Sequence, residues 1–98
     1  FSLKGKNAAI TGAGGAIGTQ TAISFAEAGA STILLSDVSR EALDRLQKLL
    51  DSKSSYSATC FLYQICNVSN DEQVAELLAK LDEHGGLDIM VNNAGDFP

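Results

Sequence analysis

Residues 9–18 read AITGAGGAIG, four glycines in ten positions directly behind a short apolar run. Glycine loses more freedom on ordering than any other residue, so this density marks a turn that side chains would obstruct. Two readings compete, a flexible surface turn and a backbone cradle for a phosphate. The flanks decide between them. Residues 7–11 (NAAIT) have the length and apolar character of a buried strand. From residue 16, Ile17, Thr21, Phe25 and Ala28 recur at helical spacing until Gly29 supplies a stop. At a strand, glycine-rich turn, helix junction, free N–H groups and the positive end of the helix dipole face the turn, and a pyrophosphate can approach. A carboxylate is then expected at the end of the next strand, to accept hydrogen bonds from a ribose 2′-OH. Asp37 stands there, 19 residues after Gly18. The flexible-turn reading explains neither the strand and helix nor the carboxylate.

Further out, residues 31–36 (STILLS), 58–65 (ATCFLYQI) and 87–92 (LDIMVN) are three more mostly continuous apolar runs. That character suits strands of a parallel sheet buried on both faces. Between them the spacing predicts helices over 39–51, with a stripe of Ala42, Leu43, Leu46, Leu49 and Leu50, and over 70–84, with Val74, Leu77, Leu78 and Leu81. The second of these opens with SNDE, where Ser69 and Glu72 have capping-box spacing, and Gly85 and Gly86 end it. The order βαβαβαβ with right-handed crossovers gives an α/β, doubly wound parallel sheet of the Rossmann type. The polar stretch DSKSSYSA reads as an exposed loop.

Composition bounds the function. The chain has 98 residues, 45% of them hydrophobic, and a mean hydropathy of +0.07, enough for one small domain. It contains no apolar run of the ~18 residues that a membrane span requires. The start, FSLKGKNAAI, has neither a signal-peptide pattern nor an initiator Met, so processing, cloning or an incomplete chain is expected to set this end. The net charge of −5 and the scatter of the seven Lys and Arg argue against nucleic acid as a partner. Cys60 and Cys66 fall in one predicted strand, about 20 Å apart and beyond disulfide reach. They read as two buried free thiols of a reducing, cytoplasmic compartment. With a single His84 and no C-x-x-C pair, no metal site is expected.

The common fingerprint G-x-G-x-x-G fails here, since Gly12 and Gly14 are followed by Ile17. The pattern T-G-x-x-x-G-x-G matches at Thr11, Gly12 and Gly18, with Ala16 where glycine is expected. At the other end, LDIMVNNAG (87–95) closes the fourth predicted strand with Asn92, Asn93, Ala94 and Gly95. Together with the opening LKGKNAAITGAG and the CNVS after the third strand, these stretches resemble the short-chain dehydrogenase/reductase family. The resemblance covers the whole chain, as the N-terminal, cofactor-binding half of the family. It implies a strand order of 3-2-1-4, with the cofactor at the switch point between strands one and four. An extended-type relative such as a sugar-nucleotide epimerase, with G-x-x-G-x-x-G, fits the spacing of Gly12, Gly15 and Gly18, but the N-N-A-G tetrapeptide decides against it.

Carried over by position, the resemblance implies that Gly12 makes the tight turn, that Ala16 and Ile17 lie beside the pyrophosphate, and that Gly18 lets the helix pack on the sheet. Gly14 and Gly15 take variable loop positions near the adenosine ribose, whose hydroxyls Asp37 receives. Asn67 and Val68 meet the adenine edge. Asn93, Ala94 and Gly95 line the floor under the second ribose, and Asn92 holds the centre of the sheet. Two departures weaken the match. Ala16 adds a methyl near the phosphate, at small cost if its φ is negative. Asn67 replaces the usual Asp, although its amide oxygen can still accept from the adenine amino group. A carboxylate at Asp37 repels a 2′-phosphate, and Val38 follows where NADP-binding relatives often offer Arg, so NAD is favoured over NADP.

The family moves hydride between nicotinamide and an alcohol or carbonyl carbon, using a Tyr with a Lys four residues later. Here Tyr56 is followed at that spacing by Cys60, and Tyr63 by Asn67, so no catalytic residue is assigned. Residues 1–98 are expected to be a single NAD(P)-binding domain that stops before the catalytic half, inactive and poorly stable alone. The substrate, a small alcohol or carbonyl compound, would bind outside it. A continuation or second chain would complete the sheet, and family members are commonly homo-oligomers. The alternative is a non-catalytic dinucleotide-binding or interaction module complete at 98 residues.

Overall fold

The computed structural model describes residues 2–52, 58–67 and 69–93. In chain order the elements are β1 (Asn7–Thr11), α1 (Ala16–Glu27), β2 (Thr32–Asp37), α2 (Arg40–Asp51), β3 (Cys60–Ile65), α3 (Asp71–Asp82) and β4 (Ile89–Asn92). The strands form one parallel sheet in the order β3-β2-β1-β4. This is the expected α/β topology, with every element within two residues of its predicted ends. The inner strands β1 and β2 are buried, β2 up to Ser36, as their mostly apolar runs require, whereas the outer strands β3 and β4 are not buried on both faces as expected, leaving Ile65 and Met90 exposed.

Two cores lie on opposite faces of the sheet. On one, α1 and α2 bury Ala22, Ala26, Leu43, Leu46 and Leu50 against Ile10, Ile33 and Leu35. On the other, Leu77 and Leu81 of α3 cover Ala9, Leu34 and Cys66. The helical stripe expected for α1 is displaced. Its buried residues are Gly18, Ala22 and Ala26, whereas Ile17 is 73% exposed and Phe25 is only half-buried. Small residues take the inner face because α1 lies close to the end of β1. A Cβ on Gly18 would collide with the carbonyl oxygen of Gly12 and come within 2.7 Å of Ala13 Cα. A volume argument, and not hydrophobicity, sets which side of α1 faces in.

The N-terminus of α3 also departs from expectation. Asn70, and not Ser69, is the cap, its Oδ1 accepting from the Gln73 N–H at 3.1 Å. No reciprocal bond from Glu72 completes a capping box among the described residues. Instead Gln73 Oε1 accepts from the Asn67 N–H at 2.7 Å, tying the helix back to the end of β3. The far end of α3 is fastened by Asn7. Its Nδ2 donates to the carbonyls of His84 (3.0 Å) and Gly86 (2.8 Å), and its N–H donates to Asp88 Oδ2 (2.8 Å). Gly85 and Gly86 turn the chain there with φ of +108° and +95°, a region L-residues rarely enter. This clasp fixes where β4 starts beside β1, with Ala8 opposite Ile89 and Thr11 opposite Asn92.

The cysteines are free, but they are not both buried: Cys66 is buried and Cys60 is exposed at the start of β3. Burial, with a smaller contribution from the Glu76 carboxylate, pushes the Cys66 thiol pKa above its ordinary value. A thiol reagent applied to the native protein should therefore modify Cys60 first and reach Cys66 only on unfolding. Peptide mapping that found both labelled at one rate would contradict this arrangement.

Tyr63 on β3 packs against the α1–α2 core, and its hydroxyl finds no hydrogen-bond partner among the described residues. Burial first, and the Asp51 carboxylate second, push its pKa from 10.0 up to about 12. The unfolded chain thus ionises at a pH where the folded chain holds its proton. This contribution to stability is complete below pH 10 and is lost as the pH rises towards 12. Tyr63→Phe should match the parent at neutral pH to within about 1 kcal/mol, because the hydroxyl it removes has no partner among the described residues. It should also flatten the alkaline fall in denaturation midpoint above pH 10. An unchanged alkaline slope in the variant would refute the assignment.

Candidate functional site

The loop between β1 and α1 is shaped by two different constraints on its glycines. Gly12 turns the chain at φ +64°, a conformation a side chain would strain. Gly18 is required by the close approach of α1 described above. Gly15 caps α1 with an extended backbone, and no side chain caps that helix. The first N–H groups of α1 and the positive end of its dipole therefore face the turn without an internal acid, which is the electrostatic character of an anion site. Ala16 opens the helix with φ below zero, so its methyl carries no backbone strain.

These residues enclose an open cavity of about 320 Å³ lined by Gly12, Gly15, Ala16, Ile17, Gly18 and Asn93. It lies where the ends of β1 and β4 meet the start of α1, at the switch point of the sheet. Asn93 lines it, and Thr11 ties Asn92 and Asn93 to the end of β1. The Thr11 hydroxyl donates to Asn92 Oδ1 at 2.8 Å and accepts from the Asn93 N–H at 3.2 Å. Asn92 thus braces the end of β4 against β1, and Asn93 lines the cavity. Asn93 Nδ2 is buried and has no hydrogen-bond partner among the described residues. An unsatisfied donor beside a glycine-lined cavity at a helix N-terminus is suited to a polar, anionic ligand.

Asp37 ends β2 next to this loop. Its Oδ2 accepts from the Gly14 N–H and its Oδ1 from the Ser39 N–H, both at 3.0 Å. Gly14 is no freely variable position in this chain. A Cβ there would collide with that of Ala42 and lie 3.1 Å from Asp37 Oδ2. Asn67 does not line the cavity. It follows the end of β3, where Ile65 pairs with Asp37 and the Cys66 N–H donates to the Asp37 carbonyl at 3.0 Å. The Asn67 amide oxygen accepts from both the N–H (3.0 Å) and the hydroxyl (2.7 Å) of Ser69. An adenine amino group would have to share or displace the Ser69 hydroxyl. Val68, Ala94 and Gly95 lie outside the described residues.

A second, more open groove of about 510 Å³ runs along the outer side of α1 past Ala16, Ile17, Gln20, Thr21, Ser24 and Phe25. No group of three or more His, Cys, Asp or Glu residues capable of holding a metal occurs among the described residues. Nor is any described helix long and apolar enough to cross a membrane. Ala42 is legible in the sequence only as part of the apolar stripe of α2, and neither its packing against Gly14 nor the Ser39 N–H on Asp37 has a sequence signal of its own. Only the S-x-x-A spacing at the start of α2 hinted at the cap.

The short chain dehydrogenase family model matches residues 6–96. The chain is 39% identical over 100 residues to the short chain dehydrogenase/reductase astE of Aspergillus oryzae, covering 100% of this chain and 36% of that protein. It is 35% identical over 94 residues to the 7alpha-hydroxysteroid dehydrogenase of Escherichia coli K12, covering 95% of this chain and 35% of the relative. Its fold superposes on a short-chain type dehydrogenase/reductase from Mycobacterium marinum with a TM-score of 0.84 at 34% identity, over 99% of this chain and 38% of that one. A Mycobacterium ulcerans counterpart gives a TM-score of 0.88 at 21% identity and so bears on the fold alone. The chain thus spans a little over a third of the length of the relatives it matches. With the glycine cradle, the Thr11–Asn92 brace and a family model covering nearly every residue, this chain belongs to the short-chain dehydrogenase family.

Proposed function

We propose that these residues hold the dinucleotide of an oxidoreductase that interconverts an alcohol and a ketone or aldehyde, and that the dinucleotide is NAD in preference to NADP. The observation that carries the reading is the cavity at the α1 N-terminus, on a loop whose Gly14 amide is bonded to the Asp37 carboxylate. The bound cofactor would supply the hydride acceptor or donor. The backbone of Ala16 and Ile17, with the α1 dipole, would hold its pyrophosphate, Gly12 turning the chain before them and Gly18 keeping α1 close, while Gly14 and Gly15 would lie near the adenosine ribose. Asn93, with Ala94 and Gly95, would lie under the second ribose, and Asn67 with Val68 beside the adenine.

Asp37 carries the choice between the two dinucleotides. With one lone pair of each carboxylate oxygen accepting from Gly14 and Ser39, the remaining pairs can accept from a ribose 2′-OH. The same charge opposes a 2′-phosphate. Arg40, the nearest cation in sequence, is exposed at the start of α2. These residues contribute binding and orientation. Proton transfer falls to groups outside them, since neither Tyr56 nor Tyr63 has a Lys four residues on. A small alcohol or carbonyl compound is the proposed substrate class.

Calorimetric titration of the protein with each dinucleotide tests the reading. NAD should bind at least about tenfold more tightly than NADP, the worth of one hydrogen bond to a charged group. Asp37→Ser should narrow that gap mainly by weakening NAD. Tighter binding of NADP by the parent protein would overturn the cofactor assignment, and binding of neither would overturn the function.

A further inference from the structure

We propose that Ala42, which has no place in the nucleotide cavity, governs dinucleotide selectivity by holding the Gly14 amide on the Asp37 carboxylate. The inference rests on the dinucleotide reading above and adds a positioning residue to it. Three segments meet at Asp37: the cradle loop, the end of β2 and the first turn of α2. Gly14 N–H and Ser39 N–H each grip one carboxylate oxygen at 3.0 Å, from opposite segments. A carboxylate held at both oxygens cannot turn about its last side-chain bond without losing a charge-assisted hydrogen bond.

What keeps Gly14 in place is contact with α2. A Cβ built on Gly14 would collide with Ala42 Cβ and lie 3.1 Å from the Ala42 carbonyl carbon, so no slack separates the loop from the helix. Gly14 has no positive φ, so glycine is needed there for space and not for backbone freedom. Ala42 in turn is fixed. It is 8% exposed, and its N–H donates at 3.1 Å to the Ser39 hydroxyl that caps α2. The cap, the alanine and the glycine form one latch, whose output is the direction in which Asp37 presents its charge.

A latch of this kind affects selectivity more than affinity. With its orientation fixed, the carboxylate meets both a 2′-OH, which it accepts from, and a 2′-phosphate, which it repels. Once Gly14 moves off Oδ2, the group can swing aside, which loses the hydroxyl bond and relieves the repulsion together. Enlarging residue 42 should therefore weaken NAD and strengthen NADP relative to the parent. A general packing defect would weaken both alike.

The test uses Ala42→Val, with Leu46→Ala as a control for lost packing in the same helix. Two readouts are taken: NAD and NADP affinities by calorimetry, and amide hydrogen exchange at Gly14 by NMR in nucleotide-free protein. Ala42→Val should lower the NAD-to-NADP affinity ratio about tenfold, the effect of one charged hydrogen bond, and speed exchange at Gly14. Leu46→Ala should reduce stability and leave the ratio where it was. Should Ala42→Val fail to fold, Gly14→Ala supplies the same clash from the other side, and Ala42→Gly in the same chain should restore part of the ratio. An unchanged ratio in folded Ala42→Val, equal weakening of both dinucleotides, or no restoration in the double variant would each overturn the latch. A parent protein that binds neither dinucleotide would overturn the functional reading instead, and exchange at Gly14 would still report whether Ala42 holds the amide.

Discussion

The close approach of α1 to the end of β1 is the constraint on which the site depends. Gly18 leaves no room for a side chain between the helix and the Gly12 carbonyl, and Gly12 turns through a backbone region that other residues avoid. Elements that pack together are normally held apart by intervening side chains. Here their removal lets helix N–H groups point into the turn itself. The exposure of Ile17 and the small-residue inner face of α1 follow from that one contact. So does a cavity whose walls are mostly backbone.

This explains which parts of the molecule the sequence disclosed. Strand β1, the glycine turn and Asp37 were legible because each depends on near neighbours in sequence or on a fixed spacing: an apolar run, a glycine density, a carboxylate one βα unit later. The leucine stripe of α2 was legible for the same reason, with Ala42, Leu43, Leu46 and Leu50 buried as their spacing required, although Leu49 falls at the edge of the stripe and is exposed. The α1 spacing marks a helix without marking its inner face: Phe25 and Ala28 flank the core, while Gly18, Ala22 and Ala26 are the buried positions. Where a helix must lie very close, volume outranks hydrophobicity, and the alanines and glycine go inside. The α3 cap was misread by one residue because Ser69 and Asn70 are both good caps. What separated them is Asn67, whose amide oxygen already engages the Ser69 hydroxyl and N–H.

The contacts that escaped the sequence altogether join segments far apart in the chain. Asn7 reaches the end of α3 across nearly eighty positions and sets the register of β4. Nothing in NAAIT marks its first residue as a clasp, because an Asn at a strand end is ordinarily solvated. Yet that register brings Asn92 against Thr11 and turns Asn93 to the cavity. The N-N-A-G stretch was recognisable as a pattern, while the physical reason it arrives at the right place lies at the other end of the domain.

Taken together, these contacts divide the proposed cofactor site into two kinds of surface. The part that would face the pyrophosphate is main chain, common to any dinucleotide, and depends on the absence of side chains. The part that would distinguish one dinucleotide from another is a single carboxylate, and a carboxylate on a strand end is mobile unless something stops it. In this chain the stops are backbone N–H groups, which cannot be tuned by changing their own side chains. Adjustment is possible only through what packs behind them. Residues such as Ala42 and Ser39, which line neither of the two cavities described, are therefore where the proposed selectivity could drift while the cradle itself stays intact.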